Sequence, residues 1–215
     1  LERYGHWKKK TLPMITSRGC PYRCNFCSVN LSMGRNFRVR SPQNVVDEME
    51  HWYKKGIRNF EINDDVFTFN IQRAMDICNM ILERDLKITF QLYNGIRVDR
   101  VNRELISTMK KAGCNFLAFG CESGNVEVLR IIRKGLKPPM VREMVDLTHE
   151  LGIETAVNFI IGHPGENYER AMETINFAKS LNCSYANFYN LVPYPGTELF
   201  EWVKKNGKFL VPMEH

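Results

Sequence analysis

The sequence predicts an α/β protein whose parallel strands are wound into a partial (β/α)6 TIM-like barrel. Short runs of β-branched and aromatic residues alternate with longer segments of helical periodicity, and this alternation repeats about six times along the 215 residues. About eight such units would close a complete barrel, so six predict an open one. An open, doubly wound sheet is the alternative. In both architectures, functional residues gather at the carboxyl ends of the strands.

The strands are predicted where short apolar runs are rich in β-branched or aromatic residues. We expect them near residues 13–17, 59–63, 87–94, 116–119, 154–161 and 185–192. Between these runs, apolar residues recur at helical spacing, as at Val45, Met49 and Trp52. The dipeptide Ser41-Pro42 predicts a helix start. Three glycines predict helix ends, at Gly56, Gly113 and Gly152.

The charge of the chain is mildly basic and evenly spread. The formal net charge is +6, and basic and acidic residues are interleaved, which predicts a solvated surface and disfavours a nucleic-acid partner. The densest basic cluster consists of Arg35, Arg38 and Arg40. No apolar run reaches the roughly 18 residues of a membrane span, and no signal-peptide pattern opens the chain. We therefore expect a cytoplasmic protein without a membrane span.

The cysteines are the most informative residues. Seven cysteines in a cytoplasmic protein are expected to be reduced thiols or metal ligands. Three of them, Cys20, Cys24 and Cys27, follow the first predicted strand. A closed zinc site would need a fourth ligand, such as Cys121 or His163. Alternatively, these three cysteines are free thiols that bind no metal. A four-iron cluster held by three cysteines instead leaves one iron open to a further ligand.

The spacing CxxxCxxC, with Phe26 before the last cysteine, resembles the signature of the radical S-adenosylmethionine superfamily. The resemblance extends from Pro13 to about Trp202. It implies that Cys20, Cys24 and Cys27 hold a [4Fe-4S] cluster whose open iron is chelated by the amino and carboxylate groups of S-adenosylmethionine. In that family, one electron from the cluster cleaves a carbon–sulfur bond and yields a 5′-deoxyadenosyl radical.

The same resemblance assigns cofactor-binding roles to polar residues after the second and fourth strands. Asp64 or Asp65 takes the methionine amino group, in place of the family's usual Gly-Gly-Glu. Glu122 and Ser123 correspond to the ribose-contacting segment, and Lys134 corresponds to a basic residue that binds the methionine carboxylate. The structural alternatives are that the aspartates only open a helix, that Ser123 only caps one, and that Lys134 is a solvated surface residue.

Further candidate site residues lie in or after the third, fifth and sixth predicted strands. Arg97 is expected to face the cofactor, and Ile160 and Gly162 match a fifth-strand motif that packs against adenine. His163 is either a proton donor or ligand or, more simply, a loop residue. Tyr194 either contacts substrate or belongs to a Pro-Gly turn. No residue is assigned a catalytic role.

Five segments together resemble the superfamily members that carry a cobalamin-binding domain: RGCPYRCNFCS, GRNFRVRSP, DDVFT, ESGN and PYPGT. That group includes methyltransferases acting at unactivated carbon and a ring-forming enzyme of bacteriochlorophyll synthesis. The resemblance implies cobalamin-assisted methylation or cyclisation of a small molecule, such as a natural product, lipid or tetrapyrrole. It also implies a reducing electron donor such as flavodoxin or ferredoxin. We expect residues 1–215 to be the radical core domain of a longer chain, with cobalamin held by a domain outside them.

Two other functions remain open at this point. Radical methylthiolation of tRNA or protein would use the same cysteines but add a further cluster domain. A zinc-stapled nucleic-acid-binding module would use Arg35, Arg38 and Arg40, and zinc without visible charge-transfer absorbance would identify it.

Overall fold

A computed structural model describes residues 10–209. The main structure is a six-stranded parallel sheet, accompanied by a two-stranded antiparallel ribbon. The strands are β1 (Thr11–Met14), β2 (Ser17–Arg18), β3 (Arg38–Val39), β4 (Asn59–Ile62), β5 (Thr89–Ile96), β6 (Cys114–Glu122), β7 (Glu154–Ile161) and β8 (Tyr185–Asn190). The α-helices are α1 (Val29–Ser32), α2 (Pro42–Lys54), α3 (Ile71–Glu83), α4 (Arg103–Lys111), α5 (Val126–Ile131), α6 (Pro138–Glu150), α7 (Tyr168–Lys179) and α8 (Glu198–Asn206).

The spatial order of the strands follows the chain. The parallel sheet runs β1-β4-β5-β6-β7-β8, without the reversal that a doubly wound sheet requires. Right-handed crossovers in one direction place all the connecting helices on one face of the sheet. The doubly wound alternative is therefore wrong. Within residues 10–209, β1 and β8 form the two edges, as expected for an open arrangement of six barrel units.

The predicted strands are all present, with different bounds at several ends. The fifth strand of the sheet, Glu154–Ile161, has the predicted bounds. The first ends at Met14 rather than residue 17, because Thr16 and Ser17 turn away to bind the side chain of Asp64. The third and fourth strands extend to Ile96 and Glu122, and the last ends at Asn190 rather than residue 192.

The main core lies between the sheet and the helices. Phe60 of β4 and Phe90 of β5 pair in register and are almost fully buried, as are Phe119 and Phe159 of the next strands. The predicted helix end at Gly113 is also found: the residue has φ +105, and a Cβ there would lie 2.1 Å from the carbonyl oxygen of Ile88. No helix in residues 10–209 has the length and apolarity to cross a membrane.

The opposite, inner face of the sheet is more polar. Side-chain hydrogen bonds cross neighbouring strands there, from Gln91 to Asn115 and from Asn187 to Asn158. Because side chains alternate between the two faces of a strand, Asn158 lies on the face opposite to buried Phe159. The inner face therefore presents hydrogen-bonding groups along the strands, and Asn158 lies in the carboxyl-terminal half of β7.

Candidate functional site

The cysteine loop is closed at its base by the antiparallel pair β2 and β3. Within it, the amide of Cys20 donates to the carbonyl oxygen of Gly34 at 3.1 Å. Gly19 has φ +90, and a Cβ there would lie 2.2 Å from the carbonyl oxygen of Asn36. Only glycine fits at this position without moving the backbone.

The basic cluster after the cysteines supports the same loop. Arg38 donates to the carbonyl oxygen of Met33 at 2.8 Å, and Arg35 reaches the carbonyl oxygen of Tyr22 at 3.5 Å. Arg40 forms an ion pair with Glu48 at 2.6 Å. These contacts show that the three arginines support the loop that carries the cysteines.

A cavity of about 620 Å³ opens at the carboxyl ends of the strands. It brings together most of the residues that the sequence singled out. Its lining includes Cys20, Cys24, Phe26, Cys27, Asp65, Arg97, Glu122, Lys134, Ile160 and Tyr194. The predicted cofactor residues that do not line it are Asp64, Ser123 and Gly162.

The three cysteines are reduced and half-buried. Burial raises the pKa of the Cys24 thiol, whereas the nearby charges of Lys134 and Arg97 lower it. Among residues 10–209, no three His, Cys, Asp or Glu side chains form a group that could hold a single metal ion. Three thiols facing one cavity, with cations beside one of them, are a donor set that suits an iron–sulfur cluster.

The two adjacent aspartates occupy different environments. Asp64 is 3% exposed, and its carboxylate accepts hydrogen bonds from the Thr16 amide and hydroxyl, both at 2.5 Å, and from the Ser17 hydroxyl at 2.6 Å. Asp65 is half-buried and, within residues 10–209, accepts a single hydrogen bond, from the Gly19 amide at 3.1 Å. Asp65 therefore has acceptor capacity facing the cavity, whereas Asp64 anchors the start of the cysteine loop.

Glu122 and Lys134 form a buried ion pair in the cavity wall. The Lys134 Nζ atom lies 2.8 Å from Glu122 Oε1, and both residues are 8% exposed. Glu122 has φ +71, a left-handed conformation that is uncommon for a residue with a side chain. It follows a register shift at the end of β6. A Cβ at Gly120 would lie 2.8 Å from the same carboxylate oxygen, so this glycine leaves room for the pair.

Arg97 is held rigidly at the end of β5. Its guanidinium donates to both carboxylate oxygens of Asp99, at 2.9 and 3.0 Å, and to the carbonyl oxygen of Lys134 at 2.6 Å. It also stacks on the ring of Tyr22, 3.8 Å from the centroid. The remaining Nη1 group is buried and has no hydrogen-bond partner within residues 10–209. A buried donor of this kind is costly unless a ligand satisfies it.

Ser123 and His163 lie behind the cavity wall. The hydroxyl of Ser123 is 2.9 Å from that of Thr174 and accepts from the amide of Asn125. The N-cap of α5 is Asn125, whose side chain accepts from the Val128 amide, so Ser123 does not cap that helix and the predicted capping role is wrong. His163 is 3% exposed and packs edge-on against Phe26. Burial lowers the pKa of His163 to about 4, against the opposing charge of Glu122, so the ring is neutral near pH 7.

Gly162 does not face the cavity, but it shapes the adjoining loop. It has φ +100, and its amide donates to the carboxylate of Glu166 at 2.5 Å. Its neighbour Ile160, two residues earlier in β7, lines the cavity as expected from strand alternation.

Sequence reasoning missed a set of uncharged lining residues. They are Tyr22, Asn94, Asn158, Tyr189 and Asn190. The available signal was the alternation of side chains along the strands, which places Asn158 on the same face as Ile160. Motif similarity alone did not reveal them.

A family model described as the radical SAM superfamily matches residues 14–178, which is more than half of the chain. The chain belongs to this superfamily. The sequence-based prediction of the family is thereby confirmed, and the zinc-stapled module is wrong as the class of this protein.

The chain is also similar to larger proteins. An uncharacterized methyltransferase from Pyrococcus horikoshii is 38% identical over 92% of this chain, which covers 43% of that protein. The anaerobic magnesium-protoporphyrin IX monomethyl ester cyclase from Rubrivivax gelatinosus is 28% identical over 90% of this chain, which covers 35% of the cyclase. The chain thus spans less than half the length of these relatives.

The fold is shared with a solved structure of the radical S-adenosylmethionine methyltransferase TsrM from Kitasatospora setae, which has cobalamin and a [4Fe-4S] cluster bound. The TM-score is 0.83 at 23% identity, and the match covers 92% of this chain and 37% of TsrM. This likeness confirms the predicted partial barrel.

Proposed function

We propose that this chain is the radical core of an enzyme that binds a [4Fe-4S] cluster and S-adenosylmethionine, and that the whole protein is a cobalamin-dependent methyltransferase or cyclase. One observation carries the proposal. Cys20, Cys24 and Cys27 line the same 620 Å³ cavity as the charged residues expected to hold the cofactor. When bound and reduced, such a cluster supplies the electron that cleaves a carbon–sulfur bond of S-adenosylmethionine in this superfamily.

Different residues of the cavity bind the ammonium and carboxylate groups of the methionine part of the cofactor. Asp65, which accepts one hydrogen bond from the described part of the chain, accepts from the ammonium group. Arg97, whose buried Nη1 has no partner within residues 10–209, donates to the carboxylate. Charged hydrogen bonds of this kind are about twice as strong as neutral ones. We therefore assign the ammonium to Asp65 rather than Asp64.

The Glu122–Lys134 pair supports the rest of the cofactor. Lys134 occupies one oxygen of the Glu122 carboxylate, which leaves the other oxygen to accept from a ribose hydroxyl. Phe26 and Ile160 give the same cavity apolar walls, suited to the adenine ring. Ser123 positions this wall through its hydrogen bonds to Thr174 and the Asn125 amide.

The methylation or cyclisation assignment rests on the relatives rather than on the cavity. The Pyrococcus horikoshii relative is called a methyltransferase, and the Rubrivivax gelatinosus relative is called a cyclase. We propose that residues 1–215 are one core domain of a longer chain, that cobalamin binds outside them, and that flavodoxin or ferredoxin supplies the electron in the cytoplasm. The substrate is proposed to be a small molecule.

The test is anaerobic reconstitution with iron and sulfide, followed by dithionite and S-adenosylmethionine, with 5′-deoxyadenosine measured by chromatography. We expect 5′-deoxyadenosine from the unchanged protein and none from Cys24→Ala. Cys183→Ala is the matched control, because Cys183 is also a half-buried free thiol but does not line the cavity. A protein that binds zinc, holds no iron–sulfur cluster and forms no 5′-deoxyadenosine would contradict the proposal.

A further inference from the structure

Acidic and basic residues alternate along most of the chain, but this alternation stops in residues 11–46. The segment holds five of the 30 basic residues and none of the 24 acidic ones. Nearly all of the net charge of +6 therefore lies in the part of the chain that carries Cys20, Cys24 and Cys27. The five basic residues are Arg18, Arg23, Arg35, Arg38 and Arg40.

Four of these arginines carry charges that the described part of the chain does not neutralise. We call the four the basic patch: Arg18, Arg23, Arg35 and Arg38. All four are exposed, and none forms an ion pair within residues 10–209. Arg40, by contrast, is paired with Glu48 at 2.6 Å. The basic patch therefore keeps four unpaired positive charges at the surface.

The members of the basic patch are neighbours in the structure. Arg18 and Arg38 pair in register across β2 and β3. Arg35 Nη1 reaches the carbonyl oxygen of Tyr22, the residue before Arg23, at 3.5 Å. Like charges directly opposite each other in an antiparallel pair are destabilising. The Arg18–Arg38 pair therefore costs the folded chain stability that an anionic partner would restore.

The basic patch lies on the solvent side of the cysteine loop. Arg23 directly precedes Cys24, and Arg18 lies two residues before Cys20, so the Cα atoms in each pair are at most about 4 and 7 Å apart. The cysteines line the cavity, and none of the four arginines does. A protein that docked on the basic patch would therefore lie close to a cluster held by the cysteines without entering the cavity.

The other side chains of the segment favour a protein partner over a nucleic acid. Leu31 and Val39 are 58% and 49% exposed, and arginine beside apolar side chains is typical of protein–protein interfaces. Proteins that bind single-stranded nucleic acids present aromatic rings on which the bases stack. The rings of Tyr22 and Phe37 instead pack edge-on against Phe69.

Building on the proposed function, we infer that the basic patch is the docking surface for the protein that supplies the electron, and that this partner is a small, acidic carrier with its own flavin or iron–sulfur cluster. One electron passes from the carrier to the cluster held by the three cysteines; the carrier is oxidised, the cluster is reduced, and no atom is transferred. Attraction between opposite charges speeds the association of two proteins and weakens as salt is added. Electron-transfer complexes bury little surface, below about 1,200 Å², so a patch of this kind is large enough.

The test compares two reductants of the reconstituted protein under anaerobic conditions, with 5′-deoxyadenosine measured by chromatography. Dithionite is small and needs no docking surface, whereas the second reductant is a strongly acidic flavodoxin in its reduced form. The variant is Arg18→Glu/Arg23→Glu, because neither side chain makes a hydrogen bond or ion pair within residues 10–209. With limiting flavodoxin we expect the rate to fall about tenfold. With dithionite it should stay within about twofold of the rate of the unchanged protein.

The matched control is Lys111→Glu/Lys179→Glu, which makes the same change in charge. Both lysines are exposed and stand at the ends of α4 and α7. These helices lead into β6 and β8, so the lysines lie at the edge of the sheet opposite the cysteines. The control should react like the unchanged protein with both reductants.

Binding provides a readout that needs no turnover. Calorimetric titration of the reconstituted protein with oxidised flavodoxin should give a dissociation constant about tenfold higher for Arg18→Glu/Arg23→Glu than for the unchanged protein or the control. Raising the salt concentration from about 0.05 to 0.3 M should weaken the unchanged complex more than the variant complex. Arg18→Glu alone should not lower thermal stability, because the new carboxylate would stand opposite Arg38.

The two proposals fail separately. If dithionite yields 5′-deoxyadenosine but flavodoxin yields none, or yields it equally well with the unchanged protein and the Arg18→Glu/Arg23→Glu variant, only the docking inference is wrong. Loss of activity with both reductants would show that the arginines act on the loop itself, and tighter binding of a single-stranded oligonucleotide than of flavodoxin would identify a nucleic-acid surface; either result overturns the inference. If the unchanged protein assembles no cluster and forms no 5′-deoxyadenosine with dithionite, the proposed function fails.

Discussion

Exchanging each of two neighbouring aspartates for asparagine should separate a structural carboxylate from a cofactor-binding one. Asp64 accepts three short hydrogen bonds in a buried position. Asparagine keeps one acceptor oxygen and replaces the other with an amide nitrogen, which cannot accept. Since each bond to the charged group contributes about 1.5–3 kcal/mol, Asp64→Asn should lose about 3 kcal/mol or more. Asp65 accepts one bond at 3.1 Å, so Asp65→Asn should cost less than about 1 kcal/mol.

The affinity for S-adenosylmethionine should fall more in Asp65→Asn than in Asp64→Asn. In our proposal, the Asp65 carboxylate pairs with the methionine ammonium group. Loss of that charge should cost about 2 kcal/mol, which is about 30-fold in the dissociation constant of S-adenosylmethionine. Urea unfolding of the cluster-free protein under reducing conditions gives the stability of each variant. Calorimetric titration of the reconstituted protein with S-adenosylmethionine gives the affinity.

Asp146→Asn provides the matched control, since Asp146 accepts a hydrogen bond from exposed Asn182 and does not line the cavity. Asp146→Asn should leave both the stability and the affinity for S-adenosylmethionine unchanged. An Asp64→Asn variant that is no less stable than Asp65→Asn would contradict the structural role of Asp64. Normal S-adenosylmethionine binding by Asp65→Asn, together with weak binding by a fully folded Asp64→Asn, would contradict the assignment of the ammonium group to Asp65.

Three further changes test the site at other positions. Gly19→Ala should destabilise the cysteine loop by about 2 kcal/mol or more and lower the iron content after reconstitution, because its Cβ would meet a backbone carbonyl at 2.2 Å; normal iron content would count against this. Gly120→Ala should lower stability by about 2 kcal/mol or more and weaken S-adenosylmethionine binding, since its Cβ would displace the Glu122 carboxylate and leave Lys134 buried without its partner; unaltered stability and affinity would argue that the pair is not disturbed or not used. His163 has a depressed pKa of about 4, so the unfolded chain binds more protons and stability should fall as the pH drops from about 6.5 towards 4. In urea titrations, His163→Gln should lose part of this pH dependence, and a profile identical to that of the unchanged protein would contradict the assignment.

The sequence by itself determined the architecture and the chemistry of the cysteine loop. The alternation of strand and helix patterns predicted the six parallel strands, because each crossover in a parallel sheet needs a helix between two strands. The spacing of Cys20, Cys24 and Cys27 predicted the superfamily. Arg97, directly after a strand, could be assigned to the cavity because parallel strands end at one edge, whereas Lys134 was assigned by resemblance to the superfamily.

Only the tertiary structure decided which neighbouring residues face the cavity. Asp64 and Asp65 are adjacent in sequence and identical in chemistry, yet Asp64 is saturated by Thr16, which lies 48 positions away. Ser123 is withdrawn from the cavity by Thr174, 51 positions away, and the direction of the Asn158 amide depends on a neighbouring strand. A local pattern encodes spacing and alternation, whereas the hydrogen bonds that occupy or free a polar group come from segments that meet only when the chain folds.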